Sequence, residues 1–215
     1  MDTLLNNLDI FVEGFTNTVI LFSVSAVAAL VLGVIVGGMR VSPVPVLRGF
    51  GALYVTLIRN TPLTLLMFFF AFGYPKLGLV KLPYMTLAII ALSLYTATYV
   101  AEVLRSGFNT VPVGQAEAAR AIGLGFGQTM SLIVMPQAFR AVIPPMMSVF
   151  IALLKNTTVA AGFSVLEAGA IRSYLAERGE PAIVVLLWVA FVFVVLVSVL
   201  SFAQRRLETR WKVAR

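Results

Sequence analysis

Five long stretches of this sequence carry almost no charge, and that pattern constrains the fold more than any other feature. A helix needs about 20 mostly apolar residues to cross a bilayer. The runs predict spans at about 15–39, 50–74, 82–104, 137–163 and 181–204. With 60% hydrophobic and only 12% charged residues, a soluble domain is excluded. We therefore expect an all-α integral membrane protein in which the 215 residues form one transmembrane domain.

The distribution of cations predicts the orientation in the membrane. Five crossings put the two termini on opposite sides, and ten of the 16 Lys and Arg residues fall on one side against four on the other. The positive-inside rule places the richer side and the C-terminus in the cytoplasm, and the N-terminus outside. The net charge of +7 thus indicates a plasma-membrane protein rather than a nucleic-acid partner. The ten are Arg40, Arg48, Arg105, Arg120, Arg140, Arg205, Arg206, Arg210, Lys212 and Arg215, and the four are Lys76, Lys81, Arg172 and Arg178.

Two polar segments are expected to form short helices on the outer surface. Residues 1–14 place apolar side chains at helical spacing, and Glu167–Glu180 carries charges of both signs. The acidic residues before the first span argue against a cleavable signal peptide. Within that span, Ala29, Gly33 and Gly37 would let another helix approach closely, unless they only reflect how common small residues are in spanning helices.

The longest connection between spans, about 105–136, predicts two helices separated by glycines. Pro112 suits the first turn of a helix, Gln115–Ile122 consists of good helix formers, and Gly123 is a natural end. A second, apolar helix then leads into the fourth span. The small side chains of the first helix would let it sit in a partner's groove, with Glu117 and Arg120 as polar contacts.

Within this connection, Glu117-Ala118-Ala119 is followed by Gly123 and then by Ile133 and Pro136. The pattern resembles the EAA loop of permease subunits in binding-protein-dependent ABC importers. That pattern usually ends in Leu-Pro, where this chain has Met135-Pro136, a volume-conserving exchange. In that family the short helix couples the permease to an ATP-hydrolysing subunit. The residues to which the resemblance gives this role are Gln115, Glu117, Ala118, Ala119, Arg120 and Gly123.

Four further segments are similar to the polar amino acid subfamily, with a pattern closest to actinobacterial glutamate importer permeases. They are Arg59–Leu63, Tyr99–Gly107, Val111–Gln115 and Lys155–Thr158. The resemblance implies import of a polar L-amino acid, with glutamate as the expected substrate, by alternating access. It also implies three kinds of partner: a pair of ATPase subunits carrying ATP and Mg, a second permease that is identical or homologous, and an extracytoplasmic binding protein.

Two cations are predicted inside the membrane, Arg59 and Lys155. Because a charge there costs about 2.5–3.5 kcal/mol, each should face a cavity or a partner. They could attract the α-carboxylate of an amino acid, or they could brace helices by bonding backbone carbonyls freed near Pro62 and the Thr157-Thr158 pair. The candidate substrate pathway is Arg59, Asn60, Thr61, Tyr95, Thr96, Tyr99, Lys155, Asn156, Thr157 and Thr158. The tyrosines could instead be packing aromatics. Glu102 and Arg105 predict an i,i+3 ion pair or, alternatively, a gate contact.

The chain itself is not expected to be an enzyme. It has no G-x-x-x-x-G-K-[ST] motif for ATP, no His and no Cys, so we expect no resident cofactor, metal site or catalytic residue. The main alternative is a secondary transporter or channel that works without an ATPase. Such proteins usually carry repeated halves and ionisable coupling groups, and the predicted spans contain no Asp or Glu.

Overall fold

The computed structural model describes residues 2–211, with side chains through Thr209, and in this part of the chain the regular secondary structure consists of helices, without a strand. The predicted all-α class is confirmed. The prediction of orientation also uses Arg210, Lys212 and Arg215, whose side chains lie outside the part of the chain that the structure describes. The helices are α1 (Leu8–Val41), α2 (Pro45–Asn60), α3 (Leu63–Lys76), α4 (Tyr84–Asn109), α5 (Val113–Ala121), α6 (Met135–Asn156), α7 (Ile171–Glu177) and α8 (Ala182–Trp211).

Within residues 2–211, four helical segments are long and apolar enough to cross a membrane, and a bent pair can supply a fifth crossing. The four are Leu8–Val41, Tyr84–Asn109, Phe126–Phe163 and Ala182–Thr209. The third contains α6, preceded by a π-helical turn at Thr129–Val134 and followed by a 3₁₀ segment at Thr157–Phe163. The chain is therefore a multi-pass membrane protein.

The small-residue stripe of α1 packs directly on α4. Ala29 is fully buried, and a Cβ atom added to Gly33 would lie 2.4 Å from the Cβ of Val100. A Cβ atom at Gly37 would lie 3.1 Å from a methyl group of Leu104. Because these contacts leave no room for a larger side chain, the stripe has the packing role that the spacing predicted.

The bent pair is α2 and α3, whose axes differ by 95°. The chain is extended at Thr61 (φ −85°, ψ 127°), where α2 ends, and Pro62 precedes the first residue of α3. A proline disfavours the helical region for the residue before it, and it donates no backbone hydrogen bond. The predicted second span, 50–74, is thus two segments meeting at a corner, and this corner holds Arg59 and Asn60 at the end of α2.

The prediction that residues 1–14 form a separate helix on the outer interface is wrong. Only Asp2–Leu5 forms a short turn of its own, and α1 then runs without interruption from Leu8. Its first turns are covered by α7, since Ile10 and Phe11 pack with the fully buried Ile171 and Leu175. This burial of an apolar face extends the helix beyond the predicted start of the span.

The segment Glu167–Glu180 contains a surface helix, as predicted: most side chains of α7 are exposed, and only Ile171 and Leu175 of that helix are buried. Besides the buried side chains of α7, Glu167 is 0% exposed. The Thr18 hydroxyl of α1 accepts a hydrogen bond from the Ala168 amide at 2.9 Å, and the Asn17 side chain donates one to the Leu166 carbonyl at 2.7 Å. The start of the segment is therefore tied to α1, and α7 covers the first turns of α1 with one face while the other face is exposed.

Helices α4 and α6 also meet closely at the end where α5 lies. A Cβ atom at Gly107 would lie 2.2 Å from a methyl group of Val142. Farther along, Val100, Val142 and Met146 form a buried cluster between the same two helices.

Candidate functional site

A cleft of about 410 Å³ lies between α4 and α6. One wall of the cleft is a face of α4, on which the Tyr95 and Tyr99 hydroxyls are 2.9 Å apart and form a hydrogen bond. The residues lining the cleft are Tyr95, Thr96, Tyr99, Ser148, Val149, Ala152, Leu153 and Asn156. The walls thus offer hydroxyl and amide groups among apolar carbons, a composition suited to a small polar ligand.

Arg59, in the last turn of α2 just before the corner, lies beside the cleft through its contact with Tyr99. Its guanidinium carbon lies 5.2 Å from the centroid of the Tyr99 ring, within the range of a cation–π contact. Thr61 donates a hydrogen bond to the Leu57 carbonyl at 2.8 Å, so its hydroxyl caps the end of α2. Arg59 and Asn60 are exposed. The structure thus joins Arg59, Tyr95 and Tyr99 in one arrangement, while the Thr61 hydroxyl is engaged with its own helix.

The Lys155–Thr158 segment contributes one of its four residues to the cleft wall, Asn156. Thr157 is fully buried and its hydroxyl donates to the Leu154 carbonyl at 2.7 Å, and Thr158 donates to the Lys155 carbonyl at 2.8 Å. Lys155 is exposed in the last turn of α6. Both threonines therefore satisfy carbonyls where the α-helix changes to a 3₁₀ helix.

Ser148 and Ala152 also line the cleft, although the sequence reasoning did not select them. They precede Asn156 by eight and four residues, so the three lie on one face of α6. The Ser148 hydroxyl accepts a hydrogen bond from the Gln204 side chain of α8 at 3.2 Å. The spacing of small and polar residues in an otherwise bulky helix was the signal that could have identified this face.

Helix α5 ends in a defined cap. Gly123 has φ +88°, a left-handed conformation in which glycine avoids the Cβ clash of other residues. Its amide donates to the Arg120 carbonyl at 2.9 Å, and the Leu124 amide donates to the Ala119 carbonyl at 3.0 Å, the two bonds of a Schellman motif. The predicted start at Pro112 and end at Gly123 therefore describe the helix correctly.

One face of α5 is buried and the other is free within this chain. Ala119 is 4% exposed and packs toward the turn at Thr129–Val134, whereas Gln115, Glu117, Ala118 and Arg120 are exposed. Gln137 of α6 donates a hydrogen bond to the Gln115 side-chain oxygen, which fixes α5 relative to α6. A rigidly mounted helix with an outward polar face is suited to transmit a displacement.

Three large apolar side chains around α5 are also turned outward. Val113, Ile122 and Phe126 are 73%, 79% and 71% exposed. They flank Glu117 and Arg120 along the chain, and all five side chains are exposed. Exposed apolar side chains close in sequence to two opposite charges have the character of a protein-binding surface.

Glu102 holds two arginines at the same end of the molecule. Arg105 bonds it through Nε at 3.1 Å, which is the predicted i,i+3 pair. Arg40 of α1 bonds the other carboxylate oxygen, Oε2. This second pair was not predicted, because Arg40 is 62 residues away in the sequence.

The sequence matches the family described as "Binding-protein-dependent transport system inner membrane component" over residues 29–213. It is 48% identical over 165 residues to the glutamate transport system permease protein GluC of Corynebacterium glutamicum, a match that covers 72% of each chain. It is 38% identical over 202 residues to the probable glutamine ABC transporter permease protein GlnP of Bacillus subtilis, covering 92% of each. A crystal structure of an amino acid ABC transporter with histidines shares the fold, with a TM-score of 0.91 at 23% identity over 96% of both chains.

Proposed function

Because the chain belongs to the family of binding-protein-dependent transport system inner membrane components, we propose that it is the permease subunit of an ATP-driven importer for polar L-amino acids. Glutamate is the first candidate substrate, since the relative with 48% identity is a glutamate transport permease. The chain moves the substrate and hydrolyses nothing. ATP and Mg belong to a separate subunit.

The observation that best supports ATP-driven transport is the outward face of α5. Glu117 and Arg120 project from a helix that Gln137 and the Gly123 cap hold in place. A separate ATPase that binds this face can push or pull α5, and the helical segment from Phe126 through α6 carries the movement to the cleft. Alternating access then results when α6 moves against α4.

The proposed pathway passes along the cleft between α4 and α6. Arg59 supplies a positive charge beside it, and the tyrosine hydroxyls and the Asn156 amide supply hydrogen-bonding groups. The α-carboxylate of an amino acid would be attracted by such a cation. Thr61, Thr157 and Thr158 support the helix ends that shape this region.

A second permease subunit would complete the pathway. Ser148 and Ala152 line the cleft and are nevertheless exposed in the single chain. A second copy or a homologue facing this side would enclose the substrate. An extracytoplasmic binding protein would deliver the substrate, with the N-terminus outside and the C-terminus in the cytoplasm beside two ATPase subunits.

Reconstitution in liposomes tests this proposal. The chain is incorporated alone, and together with its ATPase and binding protein, and labelled glutamate uptake is measured with ATP or with an imposed proton or sodium gradient. We expect ATP-dependent uptake by the complete assembly only. Accumulation by the chain alone on an ion gradient would show a secondary transporter instead. ATP-dependent uptake of a different amino acid would correct the substrate and keep the mechanism.

A further inference from the structure

An apolar groove lies between α1, α4 and α6 at the end of the molecule where α5 is mounted. It has a volume of about 330 Å³, and its walls include Val34 and Gly38 of α1, Leu104 and Phe108 of α4, and Val142 of α6. Gly38 leaves one wall open, since a Cβ atom there would meet no atom within 4 Å. The groove is large enough for part of a hydrocarbon chain.

A basic pocket of about 590 Å³ adjoins this groove. Val41 and Phe108 line both, so the two are continuous. The pocket contains three arginines, Arg40, Arg48 and Arg105. Arg40 and Arg105 share the single carboxylate of Glu102, which leaves one positive charge on that group. Arg48 is exposed, and no carboxylate in the described part of the chain forms an ion pair with it.

An apolar groove that opens into a basic pocket fits a molecule with a hydrocarbon chain and an anionic head. Inside a bilayer the groove alone gives little selectivity, because every surrounding lipid offers the same hydrocarbon. The positive charge of the pocket selects among lipids, since basic pockets between spanning helices attract anionic headgroups. We propose that an anionic phospholipid binds here, with one acyl chain in the groove and its phosphate against Arg48 and Arg40.

The basic pocket also includes the segment that precedes α6. Phe126 and Met130 form part of the basic pocket, and they lie in the segment that connects α5 to α6. A lipid headgroup in the pocket would therefore contact the segment that carries the movement of α5. The bound phospholipid becomes part of the structure that holds this segment.

Native mass spectrometry of the full chain, purified in mild detergent, tests the lipid site. The probes are dioleoylphosphatidylglycerol and dioleoylphosphatidylcholine, which have equal acyl chains and differ in net charge. We expect the anionic lipid to bind about fivefold more tightly or better, the preference that one basic side chain near a membrane surface provides. Arg48→Gln should remove most of this preference, and Arg140→Gln, an exposed arginine outside both cavities, should keep it.

A second pair of variants tests the groove. Gly38→Leu places a side chain in the open space and should lower retention of both lipids, whereas Gly49→Leu, where a Cβ atom also meets nothing within 4 Å, should not. If Gly38→Leu does not elute as a single species, Val34→Phe fills the same wall one helical turn away.

Four outcomes overturn the proposal. Equal retention of the two lipids removes the headgroup selection, and unchanged binding in Arg48→Gln removes the assigned contact. Displacement of the lipid by millimolar inorganic phosphate shows a simple anion site. Loss of lipid when the ATPase is added, together with weakened ATPase binding by Arg48→Gln, shows that the pocket is a protein interface.

Discussion

The guanidinium carbon of Arg59 lies 5.2 Å from the centroid of the Tyr99 ring. The two residues belong to different helices: Arg59 lies in the last turn of α2, just before the 95° corner, and Tyr99 lies in α4, on which α2 packs through the Tyr54 hydrogen bond to the Leu94 carbonyl. The ring attracts the cation without neutralising it, and Arg59 forms no ion pair within residues 2–209. Its positive charge therefore stays available beside the cleft.

Replacing Arg59 with alanine tests this role. We expect ATP-driven uptake by the assembled transporter to fall about tenfold or more, which corresponds to about 1.4 kcal/mol of lost substrate or transition-state stabilisation. Arg59→Lys should retain part of the activity, since it keeps the charge and loses the flat face that stacks on Tyr99. Initial uptake rates over a range of substrate concentrations give the measurement.

Lys76→Ala is the matched control, because this cation lies at the end of α3 and outside the cleft. It should transport normally. Unchanged apparent affinity and rate in Arg59→Ala would assign Arg59 to bracing the corner and remove it from the pathway.

Much of the fold could be predicted because membrane crossings impose long apolar runs. The all-α class, the close approach at Gly33 and the helix between Pro112 and Gly123 all followed from local residue properties. The family resemblance drawn from the residues around Glu117 is confirmed as well. These features depend on neighbours in the sequence, where a single chain carries clear signals.

The features that were missed depend on distant neighbours. Pro62 allows a corner, but the 95° angle is set by how α2 and α3 pack on other helices. The continuity of α1 depends on the contact with α7, and the burial of Glu167 depends on α1, where the Thr18 hydroxyl donates a hydrogen bond to its carboxylate. Likewise, four polar residues at Lys155–Thr158 do not reveal which one faces the cleft until the start of the 3₁₀ helix is known.

Gly33→Val should destabilise the contact between α1 and α4. The new side chain would begin 2.4 Å from the Cβ of Val100, so both helices must shift. Overpacking of this kind costs about 1–3 kcal/mol, and we expect the unfolding temperature of the detergent-purified chain to drop by several degrees. Gly38→Val on the same helix, where a Cβ atom meets nothing within 4 Å, serves as control. Equal melting of both variants would contradict close packing at Gly33.

The stability of the folded chain should decrease as the pH rises, because of Glu167. Burial raises the pKa of this carboxyl from 4.5 to about 7, although the amides of Gly169 and Ala170 and the Thr18 hydroxyl act in the opposite direction. Between about pH 4.5 and 7, the folded chain therefore holds a proton on this carboxyl that the unfolded chain has released. The stabilisation is complete below this window and is lost as the pH rises through it.

Thermal unfolding at a series of pH values measures this effect. Glu167→Gln, which stays neutral, should unfold at a temperature that no longer falls across the window, whereas Glu177→Gln, an exposed carboxyl of α7, should behave like the unchanged chain. An identical pH profile for Glu167→Gln and the unchanged chain would show that this carboxyl does not control the transition.

Glu117→Lys should weaken docking of the ATPase, and with it ATP-driven transport, while the chain still inserts and folds. Glu117 is exposed on α5 and makes no ion pair in the described part of the chain, so the substitution breaks no ion pair there. It reverses the charge that an ATPase would meet, and like charges across an interface weaken binding. Co-purification with the ATPase, hydrolysis stimulated by the binding protein, and uptake are measured together.

The charge-matched control is Glu177→Lys, an exposed substitution on α7 at the other end of the molecule. We expect ATPase co-purification, stimulated hydrolysis and uptake to persist in this control and to fall in Glu117→Lys. Reversing the charge of a partner residue on the ATPase should then restore them, because the original attraction is re-established with opposite signs. Normal uptake and normal stimulation in Glu117→Lys would mean that α5 is not where the ATPase acts.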